Sequence, residues 1–374
     1  MNTDPNSYVI DLHGLGTVFE ALRTKGYTVV GPTVRDAAIV YEPISSIADL
    51  PRGWTDQQGP GYYRIIKSDS CAVFDYNTGP HAWKKFLNPS RQRLWHATKQ
   101  AQGFEVIPES REVPAYAFIG VRACDMKAIQ IQDRVFRTGS HVESRYDRAR
   151  TRSFVVAVNC TRSGGTCFCT SMHTGPRVGA GFDLGLTELV CGKSQEFVVE
   201  VGSDRGRQIL EGVSKEPASK AKLEECDRLI NQAAQSMGRS MQTENLRELL
   251  QQNPEHPRWA EVADRCLSCA NCTMACPTCF CSTVEDTTDL TGAHAERWQR
   301  WDSCFTMDFS YVAGGTIRTS TRSRYRQWMT HKLSTWHEQF ETSGCVGCGR
   351  CISWCPVGID LTEEVRAIQS SVST

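Results

Sequence analysis

Short apolar runs mark the first half of the chain, whereas helical spacing of apolar residues in a charged background marks much of the second. Thr17–Lys25 has the spacing of a helix, and Tyr27–Val30 and Ala37–Tyr41 read as short strands separated by Gly31-Pro32. The Gly- and Pro-rich stretch Pro51–Gly61 reads as loop. Stronger strand signals follow at Ala115–Val121, Phe154–Val158 and Phe197–Val201. The last two are short and apolar, as strands in the middle of a sheet are. Asp125–Val135, behind the first of the three, reads as a helix. From 203 to 260 Glu, Lys, Gln and Arg take over, and Ala221–Gln235 and Glu244–Gln252 read as amphipathic helices. Asn253-Pro254 and His256-Pro257 punctuate the chain before a short helix at Trp259–Arg265. Ser323–Phe340 is helical by the same criterion, and Gln369–Thr374 is expected to fray. The prediction is a mixed α/β domain over 1–210 and an all-α domain over 211–374, with the boundary inside 203–220.

Composition narrows the function more than the fold. Lys plus Arg and Asp plus Glu each total 42, so no global charge favours nucleic acid or an anionic membrane. No apolar run approaches the roughly 18 residues that span a bilayer. Met1–Ile10 lacks the basic and apolar regions of a secretory signal, which makes the cytoplasm the expected compartment. Cysteine is the exception. The chain holds 18 of them, and in a reducing compartment clustered cysteines read as metal ligands ahead of disulfides.

Eight of the cysteines form two runs of identical spacing. Cys266, Cys269, Cys272 and Cys276 precede Pro277; Cys345, Cys348, Cys351 and Cys355 precede Pro356. Both runs are C-x2-C-x2-C-x3-C-P, the bacterial ferredoxin pattern. Three thiolates at this spacing wrap the chain around three corners of a cubane. The proline then turns the chain away, and the fourth thiolate reaches the other cluster. A pair of zinc sites is the plainer alternative, but zinc favours C-x2-C pairs, often with His, rather than a repeated three-plus-one pattern. Two 4Fe–4S clusters are therefore predicted. The 68 residues between Cys276 and Cys345 far exceed the connection in a compact ferredoxin. With helices on both sides, the region resembles the helical ferredoxin domain of respiratory iron–sulfur subunits, in which fourth cysteines are exchanged. That resemblance assigns Cys266, Cys269, Cys272 and Cys355 to one cluster, and Cys345, Cys348, Cys351 and Cys276 to the other.

Ten cysteines remain. Cys124 follows the strand Ala115–Val121; Cys160 follows Phe154–Val158, with Cys167 and Cys169 just beyond. Ends of parallel strands lie along one edge of a sheet, where α/β folds build their sites. These four thiols could converge from two neighbouring loops as a third Fe–S site, with His173 as a fallback ligand. Buried reduced thiols and a zinc site are the alternatives. Cys279, Cys281 and Cys304 read as packing beside a cluster, with an extra ligand set as the second option. Cys71, Cys191 and Cys226 are isolated and read as core residues.

Weaker patterns add little. His13-Gly14-Leu15-Gly16 begins like a dinucleotide fingerprint, but Phe19 stands where the third glycine belongs. Gly175 to Gly185 holds four glycines at the wrong spacing. Arg318, Arg322, Arg324, Arg326 and Lys332 form a basic run. It reads as a solvated helix face, or as compensation for anionic clusters, or as a docking surface for an acidic partner.

Several segments together resemble a known family. Cys276-Pro277-Thr278-Cys279-Phe280-Cys281, Trp301-Asp302-Ser303-Cys304 and Cys345-Val346-Gly347-Cys348-Gly349-Arg350-Cys351 are similar to the β subunit of cytoplasmic bidirectional NiFe hydrogenases, the sulfhydrogenases. So are Thr166-Cys167-Phe168-Cys169-Thr170-Ser171-Met172, Gly181-Phe182-Asp183-Leu184, Gly31-Pro32, Trp83-Lys84-Lys85-Phe86 and Arg122 to Asp125. The A subunit of anaerobic sulfite reductase shares much of the pattern. His173 departs from it, since the family carries Gly there. The resemblance implies a subunit with no catalytic centre. It relays electrons between a flavin subunit that handles NAD(P)H and the small subunit leading to the NiFe large subunit. Two other classes remain open at this point: an autonomous flavin-dependent Fe–S oxidoreductase, and a structural or DNA-associated Fe–S protein.

Overall fold

The computed structural model describes residues 6–77, 79–109, 112–192 and 194–372. Its strands in chain order are β1 (Ser7–Asp11), β2 (Thr28–Arg35), β3 (Ala38–Pro43), β4 (Trp54–Gly59), β5 (Tyr62–Lys67), β6 (Arg91–Gln100) and β7 (Gly103–Pro108). They continue with β8 (Tyr116–Arg122), β9 (Phe154–Val158), β10 (Leu184–Cys191), β11 (Ser194–Val201), β12 (Glu216–Pro217), β13 (Ser282–Thr288) and β14 (His294–Trp301). An eight-stranded sheet has the order β12-β1-β11-β10-β9-β8-β2-β3. Its centre is parallel, from β10 through β9 and β8 to β2, and its flanks are antiparallel.

The all-apolar composition of β9 has a direct cause. Phe154, Val156 and Val158 enter one core with Leu15, Phe19 and Leu22 of the helix Leu12–Thr24. Val155 and Ala157 enter the opposite core with Met126 and Ile129 of the helix Ala123–Arg137. A strand covered on both faces has no polar side to show. The predicted strands and helices of this half are present, but Pro51–Gly61 is not loop. Pro60-Gly61 turns the hairpin β4–β5, with Gly61 at φ 68°.

The C-terminal part departs from expectation. It is not all-α: β13 and β14 form a hairpin that pairs with β6, giving a second sheet ordered β13-β14-β6-β7. Sequence 282–301 is rich in β-branched, aromatic and charged residues, and β6, about two hundred residues away, supplies partners for its second strand. The remaining core is helical. Trp259 and Val262, Tyr325, Trp328 and Met329, and Leu361, Val365 and Ile368 pack together with Phe168 from the first half. The segment Thr321–Phe340 is interrupted by a π-helical turn at His331–Thr335. The helix Leu361–Val372 continues through the residues expected to fray, and 373–374 lie outside the described residues.

Elements beyond the division expected within 203–220 pack back on the strands before it. β12 pairs with β1, and Leu223 and Cys226 of the helix Lys220–Gln235 pack on Val198 of β11. No helix among the described residues is long and apolar enough to cross a membrane.

Candidate metal centres

Helix and turn geometry places the first cysteine run. The helix Arg258–Arg265 ends at Cys266, and the short helix Asn271–Met274 carries Cys272. Cys266, Cys269 and Cys272 line one cavity together with Cys355 and Cys351 of the second run. Phe305, Tyr325, Trp328, Ile359 and Leu361 complete its wall. Backbone amides already point at sulfur: Ser268 N donates to Cys266 Sγ at 3.4 Å and Ile359 N to Cys355 Sγ at 3.3 Å. Cys269 is exposed beside Leu267, which is 63% exposed, so this cavity lies at the surface.

Cys345, Cys348 and Cys351 gather with Cys276, whose charge each of the three feels. Gly347 N donates to Cys345 Sγ at 3.4 Å. Burial pushes the Cys345 thiol up to about 12 and Cys351 well above its usual range. Cys276 moves the other way. A hydrogen bond from Cys279 and the ammonium groups of Lys332 and Lys84 hold it well below an ordinary thiol. Lys332 Nζ donates to Cys276 Sγ at 3.2 Å.

The third set comes from the sheet edge. β8 and β9 are parallel neighbours, and Cys124 and Cys160 follow their ends. Cys124, Cys160, Cys167 and Cys169 line a single cavity, which Cys348 of the second set also lines. Burial pushes Cys167 up to about 12 and raises Cys124 and Cys169 as well. Arg122, wholly buried, has Nη1 3.8 Å from Cys160 Sγ and donates through Nη2 to the carbonyls of Phe74 and Tyr76. His173 does not line this cavity; it is exposed beside a separate open cleft. Its φ is 53°, a left-handed conformation that glycine adopts without strain.

Two glycines join the third set to the second. Phe168 N donates to Gly347 O at 2.8 Å. A Cβ on Gly347 (φ 64°) would stand 2.6 Å from Phe168 O, and one on Gly349 (φ 73°) 2.3 Å from Thr166 O. Arg350, between Cys348 and Cys351, donates through Nη2 to Asp125 Oδ2 at 2.9 Å, with Nη1 2.8 Å from Oδ1. Both side chains are buried, so helix Ala123–Arg137 is tied to the second run by charge as well as backbone.

These sets fit iron–sulfur clusters better than single ions. A zinc ion needs its sulfurs about 2.3 Å from one centre. Here four or more thiols line each of two cavities, the donor set of a sulfur-rich cluster. Loading would release protons from the raised thiols, and the lowered Cys276 thiol gives its proton up more readily.

A family model for the 4Fe–4S dicluster domain matches residues 265–359, spanning both runs. Over 359 residues the chain is 32% identical to sulfhydrogenase 2 subunit beta of Pyrococcus furiosus, covering 93% of this chain and 95% of that one. The chain belongs to the sulfhydrogenase β-subunit family. No solved structure gives a significant match. Membership and the dicluster domain together support an electron-transfer role.

Within this sulfhydrogenase β-type chain several residues around the thiols escape sequence reasoning. The basic run splits: Arg322 and Arg326 meet Glu255 at the surface, whereas Arg324 and Lys332 are buried. A single solvated face is therefore not what it forms. Arg122, Lys84, Asp125 and Arg350 lie in segments that carry the resemblance, but nothing in the sequence shows what they touch. Cys281 and Cys304 lie beside each other, and Cys279 beside Cys276. Cys226 is buried as expected, but Cys191 is exposed and Cys71 half-buried, so neither is a core residue.

Proposed function

We propose that this chain is the electron-relay subunit of an NAD(P)-linked NiFe hydrogenase complex. It would stand between a flavin-containing NAD(P)H subunit and the hydrogenase small subunit, which leads to the NiFe large subunit, with the cytoplasm as the compartment. The observation that carries this reading is the row of three cysteine sets, in which the middle set shares a cavity wall with each neighbour through Cys351 and Cys348. Cys266, Cys269, Cys272 and Cys355 would hold the first 4Fe–4S cluster. Cys345, Cys348, Cys351 and Cys276 would hold the second, and Cys124, Cys160, Cys167 and Cys169 a third. Bound there, such clusters supply one-electron chemistry at potentials between roughly −700 and +450 mV.

The chain's own part is spacing, insulation and access. Gly347 and Gly349 let the loop of the third set lie on that of the second without intervening side chains. Phe305, Tyr325 and Trp328 keep water from the first set, and the exposed Cys269 gives a partner an approach to it. The third set lies at the strand ends of the eight-stranded sheet, and the other two lie in the dicluster region.

The test is Cys348→Ala in the assembled complex. Hydrogen-driven NAD(P) reduction should be lost. Hydrogen isotope exchange at the NiFe site and NAD(P)H-driven dye reduction at the flavin should survive. Loss of all three activities with the complex intact, or retention of the full reaction, overturns the relay. Co-purification with a sirohaem subunit in place of a nickel subunit would move the chain to the sulfite reductase branch.

A further inference from the structure

Buried carboxylates in this chain mostly meet an arginine: Asp56, Asp125, Asp183, Asp360 and Glu364 all do. Four buried cations have no carboxylate partner among the described residues: Lys84, Arg122, Arg324 and Lys332. An ammonium or guanidinium out of water needs a counter-charge. All four lie against cysteine sets. Arg122 reaches Cys160, and Arg324 donates to Ser268 between Cys266 and Cys269. Lys84 donates to the carbonyls of Thr273 and Cys279 on either side of Cys276.

Lys332 makes the closest contact. Its Nζ donates to Cys276 Sγ, Thr278 Oγ1 and Gly344 O, all at 3.2 Å. Its own carbonyl accepts from Gly344 N at 2.8 Å. The residue is thus clamped to both segments of the middle set, Cys276–Thr278 and Gly344–Cys345. It sits in the π-helical turn His331–Thr335, a local widening that recurs where a helix serves a site.

We propose that Lys332 sets the reduction potential of the middle centre, making it more readily reduced than the first. The proposal rests on the ligation given above. A fixed positive charge donating to a ligand sulfur favours the state that carries one more electron. No bond is made or broken: one electron arrives from a neighbouring centre, and the lysine keeps its proton. Among the described residues no cation donates to a sulfur of the first set, because Arg324 spends its hydrogen bonds on the carbonyls of Arg318 and Thr319 and on hydroxyls.

The experiment is a dithionite titration of the full, anaerobically reconstituted chain, followed by electron paramagnetic resonance. In Lys332→Met the midpoint of one cubane signal should fall. Its reduction equilibrium should weaken at least tenfold, about 59 mV for one electron. Other signals should hold, and Lys332→Arg should keep the wild-type midpoint. A fully iron-loaded Met variant with an unmoved midpoint overturns the proposal, as does an effect confined to the centre held by Cys266. Should the Met variant fail to load iron, loading restored by Arg supports the charge requirement, and failure of Arg overturns it. A wild-type chain with zinc and no cubane signal would instead fail the ligation reading itself.

Discussion

The buried ion pair between Asp125 and Arg350 joins the two halves of the site, and its removal makes a strong quantitative prediction. The two side chains are 1% and 0% exposed. Tyr41 adds a hydroxyl 3.4 Å from Asp125 Oδ2, and Arg350 Nε donates to Gly79 O at 3.3 Å. Either Asp125→Asn or Arg350→Met leaves one full charge buried without its ion-pair partner. Such a change costs about 3–5 kcal/mol, a 150- to 5,000-fold rise in the opening equilibrium. Simple addition would give the double variant about 6–10 kcal/mol. Removing both charges leaves nothing uncompensated, so the double variant should cost no more than the worse single one. Native-state hydrogen exchange of the helix Ala123–Arg137, with the metal centres loaded, measures the opening directly and does not require reversible global unfolding. Singles that accelerate exchange less than tenfold, or a double variant equal to the sum, would refute the pair as the tie between helix and cysteine run.

Other expectations concern the centres and pH. Cys276→Ser should alter the spectrum of the centre held by Cys345, Cys348 and Cys351; alteration of the other centre would mean the fourth ligands are not exchanged. Cys160→Ser should lower iron from about twelve to about eight per chain, and unchanged iron content would remove the third centre. Gly349→Ala places a Cβ 2.3 Å from Thr166 O at a left-handed φ. The combined strain of about 2–5 kcal/mol should part the two loops, read as weaker magnetic coupling between the second and third centres. His81 is held neutral, its pKa lowered to about 4 by burial and by Lys85, whose Nζ lies 3.0 Å from His81 Nδ1. The unfolded chain protonates it near 6.5, so its contribution to stability is complete above that pH and is lost as pH falls towards 4. His81→Gln should flatten stability across that window, and an unchanged slope would show that another group titrates there.

Patterns closed within a few residues were legible in the sequence. The two C-x2-C-x2-C-x3-C-P runs, the apolar strand Phe154–Val158 and the helices preceding the first run all leave short-range signals: turn spacing, a continuous apolar run and helical periodicity. What depends on distant partners was not. Ser282–Trp301 becomes a hairpin because β6 offers its hydrogen-bonding edge, a pairing that local propensity cannot see. The same limit applies to charge. Arg322, Arg324, Arg326 and Lys332 form one basic run in sequence, but helix rotation and the π-helical turn send two to solvent and bury two, with Lys332 at sulfur. The neighbourhood of Cys124, Cys160, Cys167 and Cys169 was foreseeable from strand ends, because parallel strands deliver their loops to one edge. That Cys348 completes the wall of that cavity was decided only by packing, where two glycines without Cβ atoms let backbones nearly two hundred residues apart lie in contact.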